Sequence, residues 1–263
     1  MMNIKTYVRA QSLEEAWQLN QKRTNRIVGG MLWMKMSNGN VNTAIDLCDL
    51  GLNTIEETED AFVIGAYATL RDLEIHESLN TYTCGAVRDA VKDIIGVQFR
   101  NLATVGGSLW GRFGFSDVLT VFLTMDCSVE LYKGGIIPLA EFANMKKDND
   151  ILVRVIVKKV PGIFRYSAMR IQRTDFPVLT CATSELNGKI TVAIGARPGK
   201  ALIVADEEGI LTGDITAENA DAFAKYAAAN VKTEGNIRGS AAYRTRLVEV
   251  LTKRTLLEMK GGI

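Results

Sequence analysis

Apolar side chains near the start of the chain recur at the spacing of a helix. Leu13, Ala16 and Trp17 would share one helical face. Ser12 precedes them, and Glu15 follows Ser12 at the spacing of a capping box. A helix is therefore predicted to begin after Ser12.

Alternating and β-branched runs come next and predict short strands. Residues 26–28 and 44–47 have this pattern, and residues 54–66 combine it with Glu59-Asp60, a pair that favours the turn of a β-hairpin. Farther along, the same patterns predict helices at residues 70–79 and 86–95 and from Ser116, and strands at residues 128–132 and 151–157.

The organisation changes beyond Pro161. Asn187-Gly188 separates two strand-like runs, which is a strong signal for a hairpin. Thr216 is a candidate helix cap, and a final amphipathic helix is predicted at residues 240–260. Because strands and helices mix without strict alternation, an α+β chain with a boundary near Pro161 is predicted.

The composition of the 263 residues, 47% apolar and 23% charged, is that of a folded globular protein. Lys and Arg total 31 against 30 Asp and Glu, so no excess of positive charge favours nucleic acid or an anionic membrane surface. No apolar run approaches the roughly 20 residues that span a bilayer, and residues 1–10 lack the layout of a secretory signal. We expect a cytoplasmic protein without nucleic-acid binding or membrane insertion.

Residues of the types that carry catalysis or bind metals are few. The cysteines at 48, 84, 127 and 181 lie far apart, which predicts buried thiols and no metal site. The single histidine, His76, lies in a polar helical stretch, so a histidine-based mechanism is not expected. The sequence assigns no catalytic side chain.

Two diglycine segments are the strongest candidates for binding. One lies in IVGGMLWMKM at residues 27–36 and the other in ATVGGSLWGRFGFSD at residues 103–117. Adjacent glycines permit positive φ and remove Cβ atoms, so backbone N–H groups can converge on a diphosphate. A helix from Ser116 would add amide donors near the second segment. Each segment alone is more typical of a structural turn, but the pair indicates a shared nucleotide.

Other nucleotide-binding motifs are missing from the sequence. No Gly-x-Gly-x-x-Gly follows a strand, and residues 195–200 (GARPGK) are one residue shorter than a phosphate-binding loop. A standard doubly wound dinucleotide-binding domain is therefore not predicted.

Several further motifs follow in order along nearly the whole chain. They are RNLATVGG at residues 100–107, Ser116-Asp117, Arg173-x-Asp175, AIGARP at residues 193–198 and RGSAAYR at residues 238–244. In this order they resemble the FAD-binding subunit of the xanthine dehydrogenase and carbon monoxide dehydrogenase family of molybdenum hydroxylases.

The resemblance implies a particular α+β fold. A two-part FAD-binding domain of the PCMH or vanillyl-alcohol-oxidase type would occupy residues 1–160, with subdomains at about 1–54 and 55–160. A smaller C-terminal flavoprotein domain at residues 161–263 would contain a three-stranded antiparallel sheet and helices.

The resemblance also implies the contacts to FAD. The diphosphate would lie against both diglycine segments, and Asp117 would accept hydrogen bonds from ribose hydroxyls, since a carboxylate repels phosphate. Leu152 would contact a ring of the cofactor, and Arg170 would lie at the pyrimidine edge and favour the reduced flavin. Structural roles for these three side chains stay open. The full predicted set is Ile27, Val28, Gly29, Gly30, Met31, Leu32, Trp33, Ala103, Thr104, Gly106, Gly107, Ser108, Trp110, Phe113, Ser116, Asp117, Leu152 and Arg170.

The chain departs from the family pattern in both segments. Residues 31–33 (MLW) replace a small polar pair, Ser108 replaces Asn, and residues 111–115 (GRFGF) replace a segment rich in small residues and Pro. Fewer side chains can therefore bind the diphosphate, which leaves backbone amides and the candidate cations Arg112 and Lys35. The aromatic residues here can stack on a ring or form core.

The resemblance implies partners as well. An iron–sulfur small subunit would deliver electrons that a molybdopterin large subunit has taken from a substrate, and FAD would pass them to NAD or another acceptor. A stand-alone flavin oxidoreductase of the same fold is one alternative. A flavin-free scaffold subunit is another.

Overall fold

A computed structural model describes residues 2–261 of the chain. The β-branched and alternating runs form twelve strands within these residues. They are β1 (Asn3–Arg9), β2 (Arg26–Val28), β3 (Asn40–Asp46), β4 (Ile55–Glu57), β5 (Ala61–Gly65), β6 (Cys127–Leu131), β7 (Gly135–Pro138), β8 (Leu152–Lys158), β9 (Gly162–Arg170), β10 (Pro177–Leu186), β11 (Lys189–Gly195) and β12 (Leu202–Val204).

Most helices within residues 2–261 are short, and two longer ones lie near the end of the chain. Ser12, Thr104, Ser116, Thr216 and Ser240 each cap a helix through the side-chain oxygen. The helices are α1 (Leu13–Asn20), α2 (Leu70–Ile75), α3 (Glu77–Tyr82), α4 (Ala86–Val91), α5 (Val97–Arg100), α6 (Val105–Trp110), α7 (Asp117–Phe122), α8 (Leu139–Asn144), α9 (Ala217–Asn230) and α10 (Ala241–Met259).

The first of two compact units comprises the residues up to Asp72 together with Val97–Gly111 and Cys127–Lys158. It contains a parallel three-stranded sheet of order β1-β3-β2 and a five-stranded antiparallel sheet of order β4-β5-β8-β6-β7. Helix α1 packs on β3 through Ala16, and α6 packs on β5 and β8. The candidate cleft described below lies in this unit.

The second unit comprises Leu73–Gly96, Arg112–Asp126 and the residues from Lys159 onward. An antiparallel sheet of order β12-β11-β10-β9 forms its centre. The apolar sides of α9 and α10 cover one face, where Phe223, Val248 and Leu251 pack on Val178 and Ile194. Hydrogen-bonded polar residues join α7 to β10, because Thr120 Oγ1 lies 3.0 Å from Thr180 Oγ1.

Most predicted elements are present, with four differences. The helix predicted at residues 70–79 is two helices, because His76 leaves the helical conformation and caps α3 by accepting a hydrogen bond from Leu79 N–H. The helix predicted at residues 86–95 ends at Val91. The three strands predicted in the C-terminal half gain a short fourth strand, β12, at the β11 edge.

The fourth difference concerns the cysteines. Cys127 and Cys181 are buried as predicted, but Cys48 and Cys84 are exposed, so the prediction of buried thiols is wrong for these two. Both exposed cysteines lie at turns, where side chains face solvent: Cys48 begins a 3-10 helix, and Cys84 has a positive φ of 51°.

Candidate cofactor-binding site

Both diglycine segments border one cleft in the first unit. The cleft has a volume of about 490 Å³, and its lining includes Ile27 and Gly29 from the first segment and Gly106, Gly107 and Trp110 from the second. The two stretches therefore meet in space, although more than seventy residues separate them. This is the arrangement that one shared ligand requires.

One glycine of each pair is needed because another backbone comes close. A Cβ atom on Gly30 would overlap the carbonyl oxygen of Leu102, and one on Gly106 would lie 2.7 Å from the carbonyl oxygen of Ala66. Neither backbone oxygen can give way without moving its chain. Gly30 and Gly106 thus hold the two walls of the cleft together.

The other glycine of each pair lies beside Thr104. Cβ atoms built on Gly29 and on Gly107 would each lie 3.0 Å from Thr104 Oγ1. That oxygen accepts a hydrogen bond from Gly107 N–H at 3.1 Å and so caps α6. Thr104 consequently lies against both diglycine segments and links them.

The backbone N–H groups of the two segments differ in their use. In the second segment, Val105 N–H donates to Ala68, Gly106 N–H to Ala66 at 2.8 Å, and Ser108 N–H to Thr104. In the first segment, no acceptor within residues 2–261 receives the N–H groups of residues 29–32. The unused donors for an anion are therefore on the first segment.

Two details of the segments differ from the sequence prediction. Neither diglycine has a positive φ, and the second belongs to the first turn of α6 instead of a loop. Met31 takes the positive φ of 57° instead. Met31 and Met34 pack against Val28, Val41 and Ala44, so the apolar residues that replace the small polar pair anchor this loop to the three-stranded sheet.

The remaining predicted residues of the first unit have varied surroundings. Leu32 is half-buried and Trp33 is 37% exposed. Ala103 accepts a hydrogen bond from Leu70 N–H, and Ser108 Oγ donates to the carbonyl oxygen of Thr104.

The apolar wall of the cleft includes two predicted residues. Leu152, at the start of β8, lines the cleft and is buried. Trp110 also lines it, and its ring packs at 5.9 Å from the ring of Phe142. Trp110 thus packs in the core and also lines the cleft. A core role and a ring-stacking role are therefore compatible for this side chain.

Sequence reasoning missed the polar wall of the cleft. Arg23, Arg26 and residues 147–150 line it, and the carbonyl oxygen of Asn149 accepts a hydrogen bond from the Asn20 amide at 2.8 Å. The cations Arg23, Arg26 and Lys147 outnumber the carboxylates Asp148 and Asp150 in the lining, which favours an anionic ligand. No sequence motif marks these residues, because the wall is assembled from the residues that follow α1 and from a loop far away in sequence.

Tyr67 was also missed. Its hydroxyl accepts a hydrogen bond from Leu47 N–H at 3.0 Å and donates to the carbonyl oxygen of Val28, directly before the first diglycine. Burial raises the pKa of Tyr67 well above its ordinary value, so the hydroxyl stays protonated. Tyr67 therefore fixes the end of β2 behind the cleft.

Asp117 and Arg170, two predicted residues of the second unit, pair with each other. Arg170 Nη2 lies 2.6 Å from Asp117 Oδ1, both side chains are almost fully buried, and the Tyr166 hydroxyl donates to the same carboxylate oxygen. Burial raises the pKa of Asp117 to about 6, and the Arg170 guanidinium and the Tyr166 hydroxyl oppose this rise. Tyr166 lies four residues before Arg170 on β9, a spacing that places both on one face of the strand.

The other two predicted residues of the second unit are local neighbours of this pair in sequence. Ser116 Oγ accepts a hydrogen bond from Leu119 N–H and caps α7. The ring of Phe113 stacks on the ring of Phe115 at 5.1 Å, and Phe115 meets the ring of Phe176 edge-on at 4.8 Å. These aromatic side chains form a small cluster.

Neither a membrane crossing nor a metal site emerges from the described part of the chain. Among the helices of residues 2–261, none combines the length and apolar composition that a crossing needs. Across the same residues, no three His, Cys, Asp or Glu side chains are grouped to hold a metal ion.

The cleft joins both diglycine segments, and comparison with known families identifies the class of protein. A family model described as "FAD binding domain in molybdopterin dehydrogenase" matches residues 2–161, and one described as "CO dehydrogenase flavoprotein C-terminal domain" matches residues 164–259. The chain belongs to this family of FAD-binding oxidoreductase subunits.

Individual relatives agree over nearly the full length. The nicotine 6-hydroxylase medium subunit of Paenarthrobacter nicotinovorans is 24% identical over 96% of each chain. A chain of reconstituted CO dehydrogenase from Oligotropha carboxidovorans superimposes with a TM-score of 0.88, 20% identity and 99% coverage of both chains. Quinoline 2-oxidoreductase from Pseudomonas putida 86 gives a TM-score of 0.86, 18% identity and coverage of 97% and 96%. The fold is therefore that of these chains.

Proposed function

We propose that this chain is the flavin subunit of a molybdenum-hydroxylase-type dehydrogenase in the cytoplasm. In this proposal, electrons come from iron–sulfur clusters on a small partner subunit, pass by way of FAD, and reach NAD or another acceptor. A large molybdopterin subunit would oxidise the substrate. The similarity to the medium subunit of nicotine 6-hydroxylase supports an assembly of several chains.

The observation that carries the proposal is the cleft between the diglycine segments. It offers the unused N–H group of Gly29, a wall without side-chain bulk at Gly29 and Gly107, and two arginines. Backbone donors and cations together suit a diphosphate, while Leu152 and Trp110 provide apolar surface for a ring. The residues present thus fit a dinucleotide of the FAD type.

The roles that follow are specific. The N–H groups of the first segment would hold the diphosphate, and Thr104 would set the distance between the two segments. When bound, FAD supplies redox chemistry that exchanges electrons singly or in pairs. The protein contributes position, exclusion of water and the local electrostatic field.

The proposed roles of Asp117 and Arg170 need more than their present contacts. Asp117 would accept from a ribose hydroxyl, and Arg170 would face the pyrimidine edge of the flavin. Arg170 Nη2 already donates a hydrogen bond to Asp117 Oδ1 at 2.6 Å, so each side chain has used part of its hydrogen-bonding capacity. A ligand contact would therefore use the second carboxylate oxygen of Asp117 and a remaining guanidinium N–H of Arg170. The division into domains at residues 1–160 and 161–263 is also part of the proposal.

The direct test is the absorption spectrum of the purified chain before and after incubation with FAD. The proposal expects a flavin spectrum with about one FAD per chain. A protein that stays colourless would favour the scaffold alternative. A chain that oxidises substrate without any other subunit would favour the stand-alone oxidoreductase. Mass spectrometry of the proteins that copurify identifies the iron–sulfur and molybdopterin subunits.

A further inference from the structure

Four segments of the second unit meet at one end of its sheet, where β9 and β11 end and β10 begins. Arg170 Nη1 donates to the carbonyl oxygen of Asp175 at 2.7 Å, Ala196 N–H to that of Gly114 at 2.7 Å, and Glu234 N–H to that of Arg197 at 2.7 Å. We call this surface the arginine end. It comprises residues 112–117, 170–176, 196–200 and 232–244.

The segments of the arginine end contain more cationic than anionic residues. Its four segments contain eight Lys and Arg and three Asp and Glu, whereas the whole chain contains 31 and 30. Some of the charges are paired, as in Arg238 with Asp175 at 3.2 Å and Arg173 with Asp93 at 2.8 Å. Arg170 also pairs with Asp117 at 2.6 Å and Lys232 with Glu234 at 3.6 Å. The remaining excess comes from buried or half-buried side chains, namely Arg112, Arg197, Lys200 and Arg244, and it favours a negatively charged partner.

Two of these arginines contact only neutral oxygens within residues 2–261. Arg244 is 1% exposed and donates to the carbonyl oxygens of Val178, Glu234 and Gly239 and to the Asn236 amide oxygen. Arg197 donates to the carbonyl oxygens of residues 200 and 232. Desolvation lowers the pKa of both guanidinium groups. Burial of these two guanidinium groups without a carboxylate partner costs free energy. An anionic surface bound over them would reduce that free-energy cost.

Arg244 also fixes a tight turn that displays an apolar side chain. Asn236 and Gly239 exchange backbone hydrogen bonds at 3.0 and 3.2 Å, and the Arg244 guanidinium holds both residues. Ile237, at the tip of this turn, is 94% exposed. A flexible loop would let an isoleucine fold back on the protein, but this turn holds it in solvent.

Other exposed apolar residues surround the same surface. Ile171 follows Arg170 and is exposed, and Tyr243, in the first turn of α10, is 41% exposed. The Arg238 guanidinium lies 4.7 Å from the centre of the Phe176 ring. Arginine and aromatic side chains around an apolar anchor are typical of protein interfaces. A free nucleotide would use the charge but would leave Ile237 exposed.

We propose that the arginine end is a docking surface for a partner subunit. The partner presents carboxylates around an apolar pocket, and Ile237 inserts into that pocket as a preorganised anchor. This inference rests on the proposed function in one respect, namely that partner subunits exist. It adds which surface of this chain they use and which chemistry recognises it.

The experiment uses the full-length chain and the copurified iron–sulfur and molybdopterin subunits. Binding of the separated partner subunits to wild-type chain is measured by titration and compared with Ile237→Asp. We expect binding to weaken by about thirtyfold or more, as for a central anchor. Ile136→Asp is the matched control, since Ile136 is 64% exposed in the first unit. It should bind within about twofold of wild type if the anchor is local to the arginine end.

Charge is tested separately from the anchor. Lys232→Glu, on an exposed side chain that pairs weakly with Glu234 at 3.6 Å, should slow association and reduce its dependence on salt. Unchanged thermal unfolding of the variants shows that they fold. Wild-type affinity in Ile237→Asp overturns this inference and leaves the proposed function intact. If no partner subunit exists, both the inference and the proposed function are overturned. If the wild-type chain forms a homodimer and Ile237→Asp dissociates it, the surface binds a second copy, and this inference alone is overturned.

Discussion

Asp117, Tyr166 and Arg170 of the second unit are here called the Asp117 cluster. This cluster and the cleft of the first unit use their polar groups in opposite ways. In the cleft, the N–H group of Gly29 has no protein acceptor within residues 2–261, and glycines keep the wall open. In the cluster, Asp117, Tyr166 and Arg170 satisfy one another and are buried. The cleft is thus open to a ligand from outside, whereas the members of the cluster already bond to one another.

This difference shows that one motif can contain both packing and binding residues. Within each diglycine pair, one glycine permits close contact between backbones and the other lies beside Thr104 at the cleft. Sequence alone assigns all four glycines to the ligand. The structure separates Gly30 and Gly106, which hold the walls, from Gly29 and Gly107, which leave room beside Thr104.

The largest effect is expected from Gly30→Ala. The new Cβ would overlap the carbonyl oxygen of Leu102, which is backbone and cannot rotate away. We expect the free energy of unfolding to fall by about 3 kcal/mol or more. Chemical denaturation of the FAD-free chain measures this loss. Gly39→Ala is the control, since the nearest atom to its Cβ would be 3.8 Å away. Equal stability of the two variants would contradict the packing role.

Gly107→Asp should act on the cofactor and spare the fold. Gly107 is exposed at the cleft, so an added carboxylate would repel a diphosphate there without entering the core. FAD affinity should fall by about a hundredfold or more, which corresponds to about 2.7 kcal/mol. Fluorescence titration with FAD measures it.

The control for this prediction is Gly107→Ala, which adds a Cβ 3.0 Å from Thr104 Oγ1 but no charge. It should bind FAD more tightly than the Asp variant. Normal flavin content in Gly107→Asp would remove the second segment from the diphosphate site.

The cluster is tested by pH. The pKa of Asp117 is raised from 3.8 to about 6, so the folded state holds the proton longer than the unfolded state does. Its stabilising contribution is complete below about pH 4 and is lost as pH rises to about 6, by an amount on the order of 2 kcal/mol. Asp117→Asn imitates the protonated carboxyl and should remove this pH dependence.

The comparison requires the free energy of unfolding of both proteins from pH 4 to pH 7. At pH 7 the Asn variant should be at least as stable as the wild type, because burial raises the pKa of Asp117 more than Arg170 and Tyr166 lower it. A variant several kcal/mol less stable at pH 7 would show that the ion pair outweighs burial. The Asp117 cluster would then be held together by charge.

The parts of the fold with local signals were predictable from the sequence. Capping residues such as Ser12 and Thr216, and the hairpin at Asn187-Gly188, act over a few residues, and the structure confirms them. The break at His76 was missed because helical spacing continues through it, while Nδ1 of this side chain accepts from Leu79 N–H and starts a second helix. Local competition between a side chain and the backbone is invisible to periodicity.

The meeting of the two diglycine segments was predictable from the sequence, and the surroundings of the cleft were not. Adjacent glycines signal close approach, and the two pairs do meet at one cleft. The sequence could not show that Gly106 N–H is already bonded to Ala66, or that Met31 takes the positive φ expected of a glycine. Both facts depend on which chain segment lies opposite, which only the tertiary fold determines.

The smallest and most discriminating change is Thr104→Val, which keeps the shape of the side chain and removes its hydroxyl. Gly107 N–H then loses its acceptor at 3.1 Å, and α6 loses its cap, so the free energy of unfolding should fall by about 1 kcal/mol. Thr104→Ser retains the oxygen and should lose less. FAD affinity should change little in Thr104→Val, because the freed Gly107 N–H becomes one more donor at the cleft. If Thr104→Val instead abolished FAD binding with unchanged stability, the hydroxyl itself would be a ligand. The second segment would then bind FAD as directly as the first, and the division between packing and binding glycines would need to be redrawn around Thr104.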